Sequence, residues 1–259
     1  MPVSLTFAPE SLIGFLLVFT RVAGAMAFVP IPGFSLAPAK ARVILALGIT
    51  LALSGVWPAV SLPEWRIGLL VVWMLSEAAI GVTVGLAVAF LNEAFVLSSQ
   101  VFGLQAGYGY ASTIDPATEA DSSILQIFAH LATGLLFFSL GMDRQVLRVF
   151  ADSLREHPPG SLALSIGAAQ PILGLGAGMF SIAVRLALPV VALLLLVDLS
   201  LALLGRINAQ LQLLLLAFPV KMLLSMALLG AIAVVMPVLY RTAAEPTFRV
   251  LEELLGAAR

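Results

Sequence analysis

Residues 171–240 read PILGLGAGMFSIAVRLALPVVALLLLVDLSLALLGRINAQLQLLLLAFPVKMLLSMALLGAIAVVMPVLY, two apolar stretches joined at Gly205 and Arg206. A bilayer core about 30 Å thick needs roughly 20 apolar residues of helix. A helix over 171–204 or over 207–240 would instead run about 50 Å, because each residue adds about 1.5 Å. We therefore predict one tall antiparallel helical hairpin. It is expected to bend where prolines remove backbone hydrogen bonds, at Pro189, Pro219 and Pro237.

The rest of the chain is also apolar. Of its 259 residues, 61% are hydrophobic and 10% are charged, and the mean hydropathy is +1.10, which is outside the range of soluble domains. Further apolar stretches occupy 11–29, 43–60, 67–91 and 124–142. None shows the period-two alternation of a membrane barrel. The sequence therefore predicts the all-α class and a membrane protein whose residues 1–259 form one domain.

Little in the sequence points to enzyme chemistry or to nucleic acid. The net charge is −1 and the basic residues are scattered, so we expect neither a nucleic-acid surface nor a polybasic lipid anchor. There is no cysteine, and His130 and His157 lack a carboxylate or a second histidine at ligand spacing. No nucleotide-binding loop or nucleophile elbow occurs. We expect no enzyme activity, metal or cofactor, with an intramembrane enzyme as a minor alternative.

Two segments are amphipathic instead of uniformly apolar. Residues 143–160 carry several charged side chains and end in Pro158-Pro159-Gly160, which predicts a helix facing water. In the final segment, 241–259, leucines and glutamates alternate at helical spacing. This spacing predicts an amphipathic C-terminal tail.

Several charges fall inside the apolar stretches. At the bilayer centre each would cost at least roughly 2.5 kcal/mol, so it must face protein or water. For Arg21, Glu77 and Lys221 the favoured interpretation is burial against a partner chain. For Arg185 and Asp198, burial and snorkelling from the end of a span are equally well supported.

A proton-coupled secondary transporter is the alternative explanation of these charges, with Glu77 or Asp198 titrating during transport. Such a protein would show two similar halves. The first half here has short spans and long loops, whereas the second contains the tall hairpin, and no internal repeat relates them. Because no repeat is present, the sequence gives less support to a transporter.

A pair of glycines in the third apolar stretch has the spacing of a close helix contact. Gly81 and Gly85 form a Gly-x-x-x-Gly match, which lets two helix backbones approach. The motif is frequent by chance, so it indicates a contact without identifying the partner helix.

Residues 103–123, GLQAGYGYASTIDPATEADSS, differ from every other segment. Gly103, Gly107 and Gly109 make the backbone permissive, and Asp115-Pro116 interrupts any helix. One interpretation is an exposed connecting loop. The other is a segment that lines or fills a channel, because irregular backbone at membrane depth is tolerated only inside protein or along a cavity. Side chains suited to that role are Leu104, Tyr108, Tyr110 and Ile114.

Short motifs are spread along nearly the whole chain: Thr20-Arg21-Val22-Ala23-Gly24, Glu77-Ala-Ala-Ile-Gly81, Gly103-Leu104-Gln105, Asp115-Pro116, Leu188-Pro189 and Phe218-Pro219-Val220-Lys221. Together they resemble the FliR family of flagellar biosynthesis proteins and its counterparts in type III secretion systems. They occur in the order of that family, with similar spacing. The sequence departs from the family after Arg206 and at Ala217, where glycine is frequent.

The resemblance implies one copy of this chain in an export gate of tilted helices, within the flagellar basal body at the bacterial inner membrane. The gate would pass unfolded export substrates and contact membrane lipid. Its other subunits would be of the FliP and FliQ types, with FlhB and FlhA attached. Residues 1–170 would correspond to the FliP type, and the hairpin 171–240 to the FliQ type.

The resemblance also implies roles for particular residues. The loop 103–123 would be a plug that enters the channel and closes it before export. Buried charges would join neighbouring helices and subunits, at Arg21, Glu77, Asp198, Arg206 and Lys221. The plug residues would be Gly103, Leu104, Gln105, Gly107, Tyr108, Gly109, Tyr110, Ile114, Asp115 and Pro116.

Overall fold

A computed structural model describes residues 9–29, 39–57, 67–108, 124–159, 169–207 and 213–256. These residues form helices and turns, with no β-strand among them, and the predicted all-α class is confirmed. In chain order the helices are α1 (Pro9–Met26), α2 (Ala39–Ala52), a short 3₁₀ helix (Ser54–Val56), α3 (Ile67–Ala106), α4 (Ile124–Ser139), α5 (Met142–Glu156), α6 (Ala169–Ile207) and α7 (Leu213–Gly256).

Three helices of the described part are long and apolar enough to cross a membrane. They are Ile67–Ala106, Gln170–Ile207 and Ala217–Leu255, and a fourth crossing results if α4 and α5 form one broken span. The 40 residues of α3 extend about 60 Å, twice the thickness of a bilayer core. Helix α3, like α6 and α7, is therefore longer than a bilayer core is thick.

Helix α3 extends beyond the apolar stretch 67–91 from which it was predicted. It continues through Gly103 and Gln105 to Ala106, so the prediction of a loop beginning at residue 103 was wrong for 103–106. Phe102 and Ala106 are buried in a hydrophobic core. Burial of these side chains keeps the last turns helical, because a glycine costs a helix only about 1 kcal/mol.

The boundaries of the last two helices also differ from the prediction. Gly205 and Arg206 lie inside α6, so they do not form the turn of the hairpin. Helix α7 is continuous to Gly256, so residues 241–256 extend this helix and form no separate tail. Its last turns do have two faces, since Leu251 is buried while Glu252 is exposed.

The chain forms two compact units. Unit 1 contains Met1–Phe90, Gly141–Gly176 and Glu245–Arg259, and unit 2 contains Leu91–Leu140 and Ala177–Ala244. Helices α3, α6 and α7 each contribute residues to both. The division at residue 170 into FliP-like and FliQ-like parts stays a prediction.

In unit 1, α1 and α3 approach each other backbone to backbone. A Cβ atom placed on Gly81 would overlap the carbonyl oxygen of Arg21. A Cβ atom on Gly85 would lie 2.6 Å from the carbonyl oxygen of Ala25, closer than real Cβ atoms come. The predicted close contact at Gly81 and Gly85 is therefore confirmed, and its partner is α1 of the same chain.

Helix α5 of unit 1 has the two faces that its sequence predicts. One face is buried, and it also includes the hydroxyl of Ser153. The opposite face is exposed and carries Arg144, Arg148, Asp152, Arg155 and Glu156. The apolar side chains on the buried face are Met142, Val146, Val149, Phe150 and Leu154.

Unit 2 has its own hydrophobic core, built from α3, α4, α6 and α7. Its buried members are Phe102, Ala106, Leu125, Val190 and Leu194. Half-buried side chains of α7, among them Leu228 and Ile232, pack against this cluster. The C-terminal part of α3 therefore packs one face against apolar side chains of unit 2.

We predict that Gly81→Ala destabilises the protein although alanine favours helix. The added methyl group must displace the Arg21 carbonyl, and overpacking of this kind costs about 1 to 3 kcal/mol. Gly48→Ala on α2 is the matched control, because nothing lies within 4 Å of the added atom. The thermal midpoint of the detergent-solubilised protein should fall for Gly81→Ala and stay or rise for Gly48→Ala. Equal midpoints for the two variants would contradict the close contact.

Candidate functional site

A fully buried arginine connects three parts of unit 1. The Arg21 side chain leaves α1, and its Nε donates to Oε2 of Glu77 on α3 at 2.5 Å. Its Nη1 donates to Oγ of Ser153 on α5 at 3.0 Å, and its Nη2 donates to the carbonyl oxygen of His157 at 2.9 Å. Both charged side chains are about 1% exposed. We call these four residues the arginine cluster.

The arginine cluster is linked to the end of α7 through His157. The Nε2 atom of this imidazole is in hydrogen-bond contact with the carbonyl oxygen of Leu255. A carbonyl oxygen can only accept, so Nε2 carries the hydrogen in this contact. His157 thus accepts a hydrogen bond from Arg21 through its backbone carbonyl and holds the C-terminal turn of α7 through its ring.

The energetics of the arginine cluster follow from its burial. An isolated charge in such a place is costly, and removing one member of a buried pair typically costs about 3 to 5 kcal/mol. The guanidinium here has a carboxylate partner and two further acceptors, so its charge is matched and each of its three nitrogens donates one hydrogen bond. The cluster therefore fixes the relative placement of α1, α3 and α5 within unit 1.

A second set of polar contacts lies in unit 2, and we call it the carboxylate cluster. Asp198 on α6 accepts from Nζ of Lys221 on α7, which is 3.0 Å from each carboxylate oxygen. It also accepts from Nε2 of Gln105 on α3 at 3.0 Å. The Lys221 side chain is 12% exposed and that of Asp198 is 37% exposed. One carboxylate thus joins the ends of three long helices.

The end of α3 is closed by a glycine cap. Gly107 has φ +90°, in the left-handed region that other residues rarely adopt. Its N–H donates to the Leu104 carbonyl at 3.2 Å, and the Tyr108 N–H donates to the Gly103 carbonyl at 3.1 Å. These two bonds are those of a Schellman motif, which explains why the helix stops at Ala106.

Tyr108, the residue after the cap, is fixed on α7. Its hydroxyl lies 3.2 Å from Oγ of Ser225 and 3.4 Å from the carbonyl oxygen of Met222. Its ring packs against the core of unit 2. Ser225 is one turn beyond Lys221, so the carboxylate cluster and Tyr108 hold the end of α3 at neighbouring points on α7.

The structure brings together some of the predicted site residues and separates others. Arg21 pairs with Glu77, and Asp198 with Lys221, so these charges have partners within the chain. Their contact with other subunits stays a prediction. Arg206 is exposed near the end of α6 and belongs to neither cluster. Gly103 and Leu104 both lie in α3, where Gly103 is buried and Leu104 is 74% exposed. The remaining predicted plug residues lie outside the described part: Gly109, Tyr110, Ile114, Asp115 and Pro116.

Sequence reasoning missed several members of these sites. Ser153 and the His157 carbonyl gave no signal, because a serine on an amphipathic helix and a backbone oxygen are common to most helices. Gln105 was identified as a plug residue and not as a ligand of Asp198. The cap at Gly107 could have been found, since a glycine directly after an apolar helix is the usual C-terminal signal.

The two clusters are suited to holding helices together. Their donors and acceptors bind one another. In the described part of the chain, no group of three or more histidine or acidic residues could hold a metal ion. The arrangement thus defines a class: a helical membrane protein whose buried charges fasten long helices.

Comparison with known proteins identifies the family. The sequence pattern of the family described as "Bacterial export proteins, family 1" matches residues 12–246. The chain belongs to this family.

Similar proteins occur in distant bacteria. The chain is 27% identical over 213 residues to the flagellar biosynthetic protein FliR of Escherichia coli strain K12, which covers 82% of this chain and 81% of that protein. It is 27% identical over 255 residues to the flagellar biosynthetic protein FliR of Bacillus subtilis strain 168, covering 93% and 94%. The same protein of Pectobacterium carotovorum is 24% identical over 238 residues. The resemblance inferred from the motifs is confirmed.

We predict that substitutions at Arg21 and Glu77 have non-additive effects on the free energy of unfolding. Arg21→Met and Glu77→Met should each lower the free energy of unfolding by about 3 to 5 kcal/mol, because each leaves a buried charge without its partner. The double variant should lose clearly less than the sum of the two single losses. Thermal unfolding of the purified protein in detergent measures the three values.

Asp152→Asn is the control for this cycle. It breaks the pair between Asp152 and Arg155, whose atoms are 3.7 Å apart and whose side chains are 65% and 68% exposed. A pair this exposed contributes at most about 1 kcal/mol. Additive losses at Arg21 and Glu77, or a control as unstable as the single variants, would show that the buried pair does not act as a unit.

Proposed function

We propose that this chain is a subunit of the export gate of the flagellar type III secretion apparatus, in the bacterial inner membrane. The observation that carries the proposal is the family match over residues 12–246. The relatives are named as flagellar biosynthetic proteins. In this role the chain forms, with other subunits, a pore for unfolded export substrates. Proton-coupled transport is not favoured, because none of these relatives is named as a transporter.

The exposed apolar surface of α6 supports a place among other subunits. Leu173 is 73% exposed and Ile207 is 77% exposed, and the helix between them is about 51 Å long. Measured along its path, this helix is longer than a bilayer core about 30 Å thick. In the proposed gate, protein partners would cover the exposed apolar side chains that extend beyond the bilayer core.

The partners in the proposal are subunits of the FliP and FliQ types, with FlhB and FlhA attached and one copy of this chain in each gate. The two clusters support a structural role for this chain, because they pair Arg21 with Glu77 and Asp198 with Lys221 within the chain. Such a subunit can present apolar helix faces to its neighbours without leaving those charges unpaired. Substrates would be unfolded proteins that pass from the cytoplasm.

We also propose that the segment beginning at Gly107 is the plug of this pore. The glycine cap ends α3 at a defined point, and Tyr108 is bound to α7 directly afterwards. A plug must enter and leave a channel while its base stays attached, and this base has two polar attachments within unit 2. The sealing residues in the proposal are Gly107, Tyr108, Gly109, Tyr110 and Ile114.

We expect the chain to assemble with its partners in fixed numbers. It should be co-expressed with FliP-type and FliQ-type proteins from the same genome, purified through a tag in mild detergent, and weighed by native mass spectrometry. The expected species contains one copy of this chain with several copies of each partner. A stable monomer or homodimer that recruits neither partner would contradict the export-gate proposal.

Deletion of residues 107–114 is expected to raise the ion leak through the assembled gate. Tyr108→Phe keeps the packed ring but loses the contacts with Ser225 and the Met222 carbonyl, so a smaller increase is expected. Ser200→Ala, which removes an exposed hydroxyl from α6, should leave the leak unchanged. Conductance of cells that express the complete gate measures the effect. An intact seal after the deletion would rule out the plug.

A further inference from the structure

Unit 2 contains a large cleft that neither cluster uses. Its volume is about 560 Å³, and it lies among α3, α4, α6 and α7. The walls are almost entirely apolar, and several small side chains, including Ala129, Ala132 and Ala233, leave the space open. Volumes of about 300 to 1,000 Å³ are usual for ligand pockets.

One charged side chain lines this cleft. Arg185 on α6 is exposed, and every other residue of the lining is uncharged. It differs from the other basic residues inside the apolar stretches, since Arg21 and Lys221 both pair with carboxylates. Within the described residues, no acidic side chain forms an ion pair with Arg185. The cleft thus combines an apolar volume with one cation that has no ion-pair partner in the described part of the chain.

We propose that this cleft binds one anionic phospholipid, with an acyl chain between the helices and the phosphate on Arg185. The chain has helices of membrane-spanning length, so phospholipid surrounds it at high concentration. A guanidinium binds phosphate oxygens through two parallel hydrogen bonds. Basic pockets between transmembrane helices are known places for anionic headgroups. The site accounts for Arg185 without requiring a carboxylate from another subunit.

The charge complementarity selects lipid over a partner helix. An apolar helix would fill the volume but would leave the guanidinium without a counterion in a region of low dielectric, which is costly. A phospholipid supplies hydrocarbon and phosphate in one molecule. The polar side chains of the lining, Ser98, Ser99 and Ser139, can bind the glycerol region without adding charge.

The test is the binding of defined lipids to the full-length chain in detergent. The protein is delipidated and titrated with palmitoyl-oleoyl phosphatidylglycerol or phosphatidylcholine, and native mass spectrometry counts the bound lipid. The wild type should bind one phosphatidylglycerol with preference over phosphatidylcholine. Arg185→Gln should reduce this preference about tenfold, the effect expected for one charge-assisted contact.

Two further variants complete the experiment. Arg206→Gln removes an exposed arginine from the same helix outside the cleft, and it should bind phosphatidylglycerol as the wild type does. Ala132→Phe fills the cleft and should weaken binding of both lipids. The proposal is overturned if Arg185→Gln keeps the preference, or if Arg206→Gln loses it equally. It is also overturned if the gate purified with its partners contains protein in the cleft and no bound lipid.

Discussion

The ion pair between Arg21 and Glu77 is so deeply buried that either charge alone would be strongly destabilising. Because both side chains are buried, each requires the other, and the guanidinium requires Ser153 and the His157 carbonyl as further acceptors. One side chain therefore dictates where α1, α3 and α5 lie within unit 1. The glycine contact acts on the same two helices, since Gly81 and Gly85 let the backbones of α1 and α3 nearly touch beside this pair.

Unit 2 also holds its helices together through a charged side chain. Asp198 accepts hydrogen bonds from both Lys221 and Gln105, so a single carboxylate holds α3, α6 and α7 in register. Tyr108 adds a contact one turn along α7, directly after the glycine that ends α3. The helix that leads into the proposed plug is thus fixed at its end. Movement of a plug would begin beyond Tyr108, while the helix behind it stays in place.

The exposed surfaces explain why such a chain works within an assembly. Its long helices carry apolar faces that extend farther than a bilayer core is thick. Paired charges inside each unit leave those faces free for neighbouring subunits and for lipid. Arg185 is the exception, because its charge lies beside an apolar cleft without an acidic neighbour among the described residues. An anionic lipid in that cleft would complete the pattern of paired charges seen elsewhere in the chain.

The sequence by itself determined the helical membrane class, the family and the residues whose charges need partners, because composition, motif order and isolated charges are all local properties. It placed Gly81 and Gly85 at a helix contact for the same reason. Only the tertiary structure decided that Arg21 meets Glu77 and that Asp198 meets Lys221 and Gln105, because these partners are distant in sequence. The continuation of α3 through Gly103 and the continuity of α7 to Gly256 also depended on packing. Burial of Phe102 and Leu251 outweighs the glycines and prolines that, in sequence, suggest an earlier end.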